Sequence, residues 1–140
     1  MKSTKRTSVL LADDHTIVRE GLRRLLMLEN DIEVIGEAAT GCEAVDLTRK
    51  LRPDVVVMEI AMPQMNGFEA TRQIRKASPG TKVIILSAHS DVIYVKTAED
   101  SGASGFLIKQ SSTRDLFEAI RKINQGTTFV RPEFSARFAS

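Results

Sequence analysis

The chain has 140 residues, 42% of them hydrophobic and 27% charged, with a formal net charge of +2. That length holds one compact core rather than two ordinary domains, and both signs of charge are spread along it, so no basic run follows a phosphate backbone and direct nucleic-acid binding is not expected. No apolar run approaches the roughly 20 residues that cross a bilayer, and the lone Cys42 has no internal disulfide partner.

In chain order, residues 1–7, MKSTKRT, read as a loose basic leader. The apolar SVLLA that follows is cut by Asp13 and Asp14 before it can act as a signal-peptide core, so an untargeted cytoplasmic chain is expected. SVLLA is the first predicted strand. Val18, Leu22, Leu25 and Leu26 then give an i, i+4, i+7, i+8 stripe, the mark of an amphipathic helix. The runs IEVIGEA, VVVME, KVIILS and GFLIK are short and β-branched, as strands are. Leu116, Ile120 and Ile123 repeat the helical stripe, opened by Ser112 with Asp115 three residues on and closed by Gly126 at a C′ position. Strands two to four are nearly continuous in apolar residues, which a parallel sheet buried on both faces requires. The pattern predicts a (βα)5 α/β domain over 8–125, with a doubly wound parallel five-stranded sheet and helices on both faces. Residues 126–140 form a tail carrying Phe129, Phe134 and Phe138; Pro132 can open a short helix there. It reads first as a truncated linker, second as a dimer contact or a cover for the last helix, and otherwise as a disordered end.

In open α/β sheets, binding groups collect beyond the carboxyl ends of the strands. Those ends carry Asp13 and Asp14, Glu59, Ser87 and Lys109. Converging carboxylates repel unless a hard dication or an ammonium offsets them, and Mg2+ suits oxygen ligands such as these together with a backbone carbonyl from Ala61. A hydroxyl at Ser87 and an ammonium at Lys109 are groups suited to a phosphoryl oxygen or a second carboxylate. Taken alone, Asp13 and Asp14 also fit a helix N-cap pair, Lys109 a snorkelling surface lysine and Ser87 a turn hydroxyl. His15 and His89 have no second ligand at metal spacing and read as solvated or capping residues. Met58, Met62 and Met65 read as packing.

LLADDH, MEIAMPQMNG, IILSAH and GASGFLIK, in that order, resemble the receiver domain of bacterial two-component response regulators, the CheY-like fold, and LLADDHTIVREGLRRLL is further similar to its NarL/FixJ subfamily. The resemblance implies that Asp13 and Asp14 are the acid pair, with Asp14 the direct metal ligand, and that Ala61 lends its carbonyl to Mg2+. It implies a switch hydroxyl at Ser87, a phosphate-pairing ammonium at Lys109 and a state-reporting aromatic at Phe106. It also implies a sensor histidine kinase, a receiver homodimer formed through the first and fifth helices or an output face around the fourth helix, and a helix-turn-helix domain beyond this chain. Glu59 falls where the family has its phospho-accepting aspartate, and Gln110 where many receivers have proline.

One added methylene at Glu59 is enough to spoil in-line phosphotransfer, since a misplacement of about 1 Å costs on the order of a hundredfold. It also carries the carboxylate outward toward Ser87 and Lys109, as a partial phosphate mimic that needs Mg2+ less. An engineered phosphomimetic, a natural pseudo-receiver that works without phosphate and a simply inactivated site are the three readings, the first being preferred because the other site residues are present. A non-enzymatic signalling module is therefore expected. A metal-dependent phosphohydrolase or phosphotransferase is the alternative class, and a flavodoxin-like nucleotide binder a third that the glycine-free loop ADDHTIV disfavours.

Overall fold

A computed structural model describes residues 6–88, 91–109 and 113–130. Its elements alternate as β1 (Thr7–Ala12), α1 (Thr16–Leu26), β2 (Ile32–Ala38), α2 (Gly41–Leu51), β3 (Val55–Glu59), α3 (Gly67–Ala77), β4 (Lys82–Ser87), α4 (Val92–Ser101), β5 (Gly105–Ile108), α5 (Thr113–Asn124) and β6 (Phe129–Val130). The strands form one sheet in the order β2-β1-β3-β4-β5-β6, and every pairing is parallel. The doubly wound α/β architecture expected from the alternating runs is thus present. Strand order reverses at β1, with β2 on one side and β3 on the other, which opens a crevice above their carboxyl ends.

Two apolar clusters cover the two faces. Leu10, Val56, Met58, Ile85 and Phe106 pack with Ala44, Ala70, Ile74 and Val95 from α2, α3 and α4. Val9, Leu11, Val57, Ile84 and Leu107 pack with Leu26, Leu116, Ile120 and Ile123 from α1 and α5. The β-branched centre of the sheet is what the sandwich buries, and Val55, Val56, Ile84 and Ile85 are fully enclosed.

Local chemistry fixes the helix ends. The Thr40 hydroxyl accepts from Glu43 N–H at 3.0 Å while the Glu43 carboxylate accepts from Ala39 N–H, and the Asn66 side chain caps α3 by accepting from Glu69 N–H. At the end of α5, Gly126 has φ of 100°; its N–H bonds Ile123 and the Thr127 N–H bonds Lys122, a Schellman pair. The C′ glycine expected there is in place, while Ser112, the proposed opening cap, lies outside the described residues.

Two expectations need correction, and one strand is added to those expected. The five parallel strands are present, and Phe129 and Val130, assigned to the tail, add a two-residue sixth by pairing with Gly105 and Phe106 of β5. Gly105 makes this possible, because a Cβ there would stand 2.9 Å from the Phe129 carbonyl oxygen. β2 is an edge strand rather than a doubly buried one, with Glu33 exposed, because β1 and not β2 lies next to β3. The α1 stripe is also only partly inward: Leu26 is fully buried, but Val18 and Leu25 remain 42% and 41% exposed. Pro132, Phe134 and Phe138 lie outside the described residues.

Candidate functional site

The carboxyl edge of the sheet collects the expected groups. Asp13 follows β1 and is buried, Glu59 ends β3 and is buried, and Ser87 ends β4 with no exposure. Lys109 stands one residue past β5, where its N–H donates to the Ser87 carbonyl at 2.7 Å and prolongs the β4–β5 ladder. Ala61 is exposed two residues beyond Glu59, and Phe106 lies fully buried within β5.

Two glycines set the acceptor-side loop. A Cβ on Gly67 would strike the Glu59 carbonyl, and the Gly67 N–H donates to the Ile60 carbonyl at 2.7 Å. A Cβ on Gly41, the first residue of α2, would strike the Met65 carbonyl. The loop is therefore clamped between two helix starts, and Gln64 takes up the turn with a φ of 73°.

The centre of the site is an ion-paired triad. Lys109 Nζ lies 2.5 Å from Glu59 Oε1 and 3.3 Å from Asp13 Oδ2, with the two carboxylate side chains only 6% and 5% exposed. Both buried oxygens are thus partnered by the same ammonium, the Glu59 contact being the shorter. Burial works against the charged lysine, but the Glu59 and Asp13 carboxylates outweigh it and move its pKa above the ordinary lysine value. The second Glu59 oxygen folds back onto its own loop, accepting from Ile60 N–H at 2.9 Å and Ala61 N–H at 3.2 Å. Beneath Asp13, Glu59 and Arg19 the enclosed space is about 10 Å3, the least that one water requires.

A second group adjoins the first. His15 Nδ1 lies 2.9 Å from Asp13 Oδ1 and 3.3 Å from Asp14 Oδ1, and the His15 N–H also donates to Asp13 Oδ1. His15 is exposed, as expected, and occupies the N-cap position of α1; its side chain makes no cap hydrogen bond, and its ring turns to the carboxylates. His89 lies outside the described residues. The sequence reading also passed over Arg19, whose guanidinium donates to the Asp13 carbonyl at 2.5 Å and to Glu37 at 2.9 Å, while Arg23 takes the other Glu37 oxygen. The signal was available as Asp-x-His at an Asx-turn spacing and as Arg19 and Arg23 one helical turn apart, facing a charged edge strand. Met58 is core, and Met62 and Met65 pack on it, as expected.

A doubly wound parallel sheet whose carboxyl edge gathers an acid pair, a third carboxylate, a hydroxyl and a lysine defines a response regulator receiver domain, and the chain belongs to that family, whose profile matches residues 9–121. Among individual proteins, it is similar to the transcriptional regulatory protein DegU of Brevibacillus brevis, 40% identical over 125 residues that make up 89% of this chain and 53% of the relative. It is also similar to the response regulator protein VraR of Staphylococcus aureus, 39% identical over 89% of this chain and 60% of the relative. The chain thus spans little more than half the length of these curated relatives. Its fold superposes on that of a two-component response regulator of the LuxR family from Aurantimonas sp. SI85-9A1 with a TM-score of 0.89, at 36% identity and 96% coverage of both chains. Among the described residues, no helix is long and apolar enough to cross a membrane.

Proposed function

We propose that this domain is the signalling receiver of a cytoplasmic two-component transcriptional regulator, and that Glu59 stands at its phospho-acceptor position and holds the site in a phosphate-independent state. The observation that carries the reading is the Lys109 ammonium shared between Glu59 and Asp13. In a receiver, that ammonium pairs with the incoming phosphoryl group; here a resident carboxylate takes it. Phe106, fully buried, is consistent with the inward state of the reporting aromatic. The mimicry is partial, since a carboxylate carries one charge and two oxygens where a phosphoryl group carries nearly two charges and three. A pseudo-receiver that never used phosphate rests on the same contacts, and the test below separates the two.

The residues fit a hard dication. Asp13 and Asp14 present carboxylate oxygens, Ala61 is exposed, and two buried carboxylates, Asp13 and Glu59, share the Lys109 ammonium. Asp14, 32% exposed, is the accessible direct ligand, and Asp13 and the Ala61 carbonyl complete the protein's share. When bound, Mg2+ neutralises charge on a phosphoryl group. Because Lys109 already engages Glu59 and Asp13, Mg2+ affinity at this site is lower than with an aspartate at residue 59. A phosphohydrolase is disfavoured by the small space beneath the carboxylates and by the absence, among the described residues, of a segment that encloses a substrate.

The regulatory partners follow from the family: a sensor histidine kinase as donor, a second receiver copy, and a helix-turn-helix output domain. The test is incubation with Mg2+ and a small phosphoryl donor such as acetyl phosphate. Glu59→Asp is expected to gain an acyl phosphate on residue 59 while the parent chain gains none. Rapid labelling of Glu59 itself would overturn the phosphate-independent reading. An inert Glu59→Asp would favour the pseudo-receiver.

A further inference from the structure

Of the asparagines in the chain, only Asn66 precedes a glycine. With no side chain on the following residue, the peptide nitrogen of such a pair can swing onto the asparagine Cγ and close an imide ring. Asn66 is exposed, yet the fold withholds the reaction. The Gly67 N–H donates to the Ile60 carbonyl at 2.7 Å, so the nitrogen keeps the proton it must lose in order to attack. The Asn66 side chain accepts from Glu69 N–H at 2.9 Å, which holds the amide in its capping position. The Asn66 ψ of 166° is extended, whereas ring closure needs Cβ and the Gly67 nitrogen eclipsed across the Cα–C bond. Ile60 links this pair to the site: its carbonyl accepts from Gly67 while its N–H donates to Glu59 Oε2 at 2.9 Å.

We propose that Asn66 and Gly67 form a gated self-modification site, closed while Glu59 holds the β3–α3 loop and reactive when that loop lifts. In the lifted loop the Gly67 nitrogen, its proton lost to solvent base, bonds to Asn66 Cγ; the Cγ–Nδ2 bond breaks and the amide nitrogen leaves as ammonia. Water then opens the succinimide at either carbonyl. Attack at Cγ returns a normal chain with aspartate at position 66, which caps α3 as asparagine does. Attack at the Asn66 main-chain carbonyl carbon gives an isoaspartyl link, in which the backbone runs through Cβ and Cγ and is one methylene longer. That methylene enters beside Gly67, where the Glu59 carbonyl leaves no room even for a Cβ, so the loop does not return to its clamped form. The reaction consumes only water, and it draws on the hydrogen bonds of Glu59 rather than on its place in signalling.

The test is incubation of the 140-residue chain at mildly alkaline pH, folded and in urea, with isoaspartate counted by enzymatic methyl transfer from S-adenosylmethionine and located by peptide mass mapping. The folded chain is expected to form isoaspartate at residue 66 at least about tenfold more slowly than the unfolded chain, because only local opening exposes the nitrogen. Glu59→Ala, shown by circular dichroism to be folded, loses the hydrogen bonds to Ile60 and Ala61 and is expected to react about fivefold faster than the folded parent. Glu59→Gln, which retains an acceptor oxygen, is expected to stay near the parent rate. Asn66→Ser keeps a cap, has no amide to lose and is expected to form no isoaspartate at residue 66. In the isoaspartyl chain, separated by ion exchange, the Gly67 amide is expected to lose its protection from hydrogen exchange. Equal rates in the folded and unfolded chain overturn the gate, and an unchanged rate in Glu59→Ala overturns its link to Glu59. Native protection of Gly67 in the isoaspartyl chain overturns the lasting effect on the loop.

Discussion

Lys109 Nζ sits 2.5 Å from Glu59 Oε1 at a place where both side chains are largely withdrawn from water. Removing the cation leaves two buried carboxylates, Glu59 and Asp13, with no partner between them. Lys109→Met is expected to cost about 2–3 kcal/mol in urea unfolding, and adding Glu59→Gln to recover most of it, because the unpaired charge and not the lost contact is expensive. An uncorrected loss in the double variant would show that packing around the lysine stem dominates.

The same pair predicts an alkaline limb. The folded-state pKa of Lys109 lies above the ordinary lysine value, so its contribution is complete below that value and is lost as pH rises through the folded pKa. The stability gap between the parent chain and Lys109→Met is expected to hold level from neutrality to about pH 10 and to shrink above it. Urea midpoints collected across that range test the sign.

Gly67 admits the Glu59 carbonyl against the start of α3. Gly67→Ala is expected to destabilise the fold by about 2–3 kcal/mol, since backbone must move to admit the methyl group. A loss below about 0.5 kcal/mol, read from thermal or urea unfolding, would mean that the loop is not clamped as described.

Gln64, exposed and at φ of 73°, is a side-chain residue in glycine's conformation. Gln64→Gly is expected to stabilise by about 0.5 kcal/mol, the relief of the left-handed backbone exceeding the added unfolded-state entropy. A measured destabilisation would indicate a contact from the Gln64 side chain that outweighs the backbone.

Arg121 ties α5 to the α1–β2 connection, with Nε 2.7 Å from Asp31 Oδ2, a second bond to Asp31 at 2.9 Å and one to Glu29 at 2.6 Å. The hydrogen bond from Arg121, partly opposed by burial, lowers the Asp31 pKa below the usual aspartate range. A depressed carboxylate stabilises above its ordinary value and ceases to do so as pH falls through the folded pKa. Arg121→Ala is expected to cost about 1 kcal/mol near neutrality, the exposed setting limiting the effect, and less below about pH 4. A difference that grows in acid would refute the assignment.

The sheet-end residues were legible because a buried apolar run followed by a charge marks where a parallel strand surfaces: Ala12 before Asp13, Met58 before Glu59, Ile108 before Lys109. What periodicity does not carry is the width of a groove. Val18 and Leu25 share a helical stripe with Leu26, yet they stay 42% and 41% exposed while Leu26 is fully buried. Nor does it carry a two-residue strand such as Phe129–Val130, which is too short for any alternation and is announced only by the missing Cβ of Gly105 across from it. The turning of the His15 ring depends on how the chain bends between Asp13 and the first turn of α1, a torsion that spacing alone leaves free.

The sixth strand has a mechanical consequence. It runs alongside Gly105 and Phe106, with the Phe129 N–H donating to the Ser104 carbonyl, and Lys109 lies only three residues further along the strand it borders. A shift in how Lys109 shares itself between Glu59 and Asp13 would draw on β5, and β6 is stitched to that strand by main-chain bonds. A displacement of the β5 edge is therefore carried into β6 through the backbone itself, as a rail carries a push along its length.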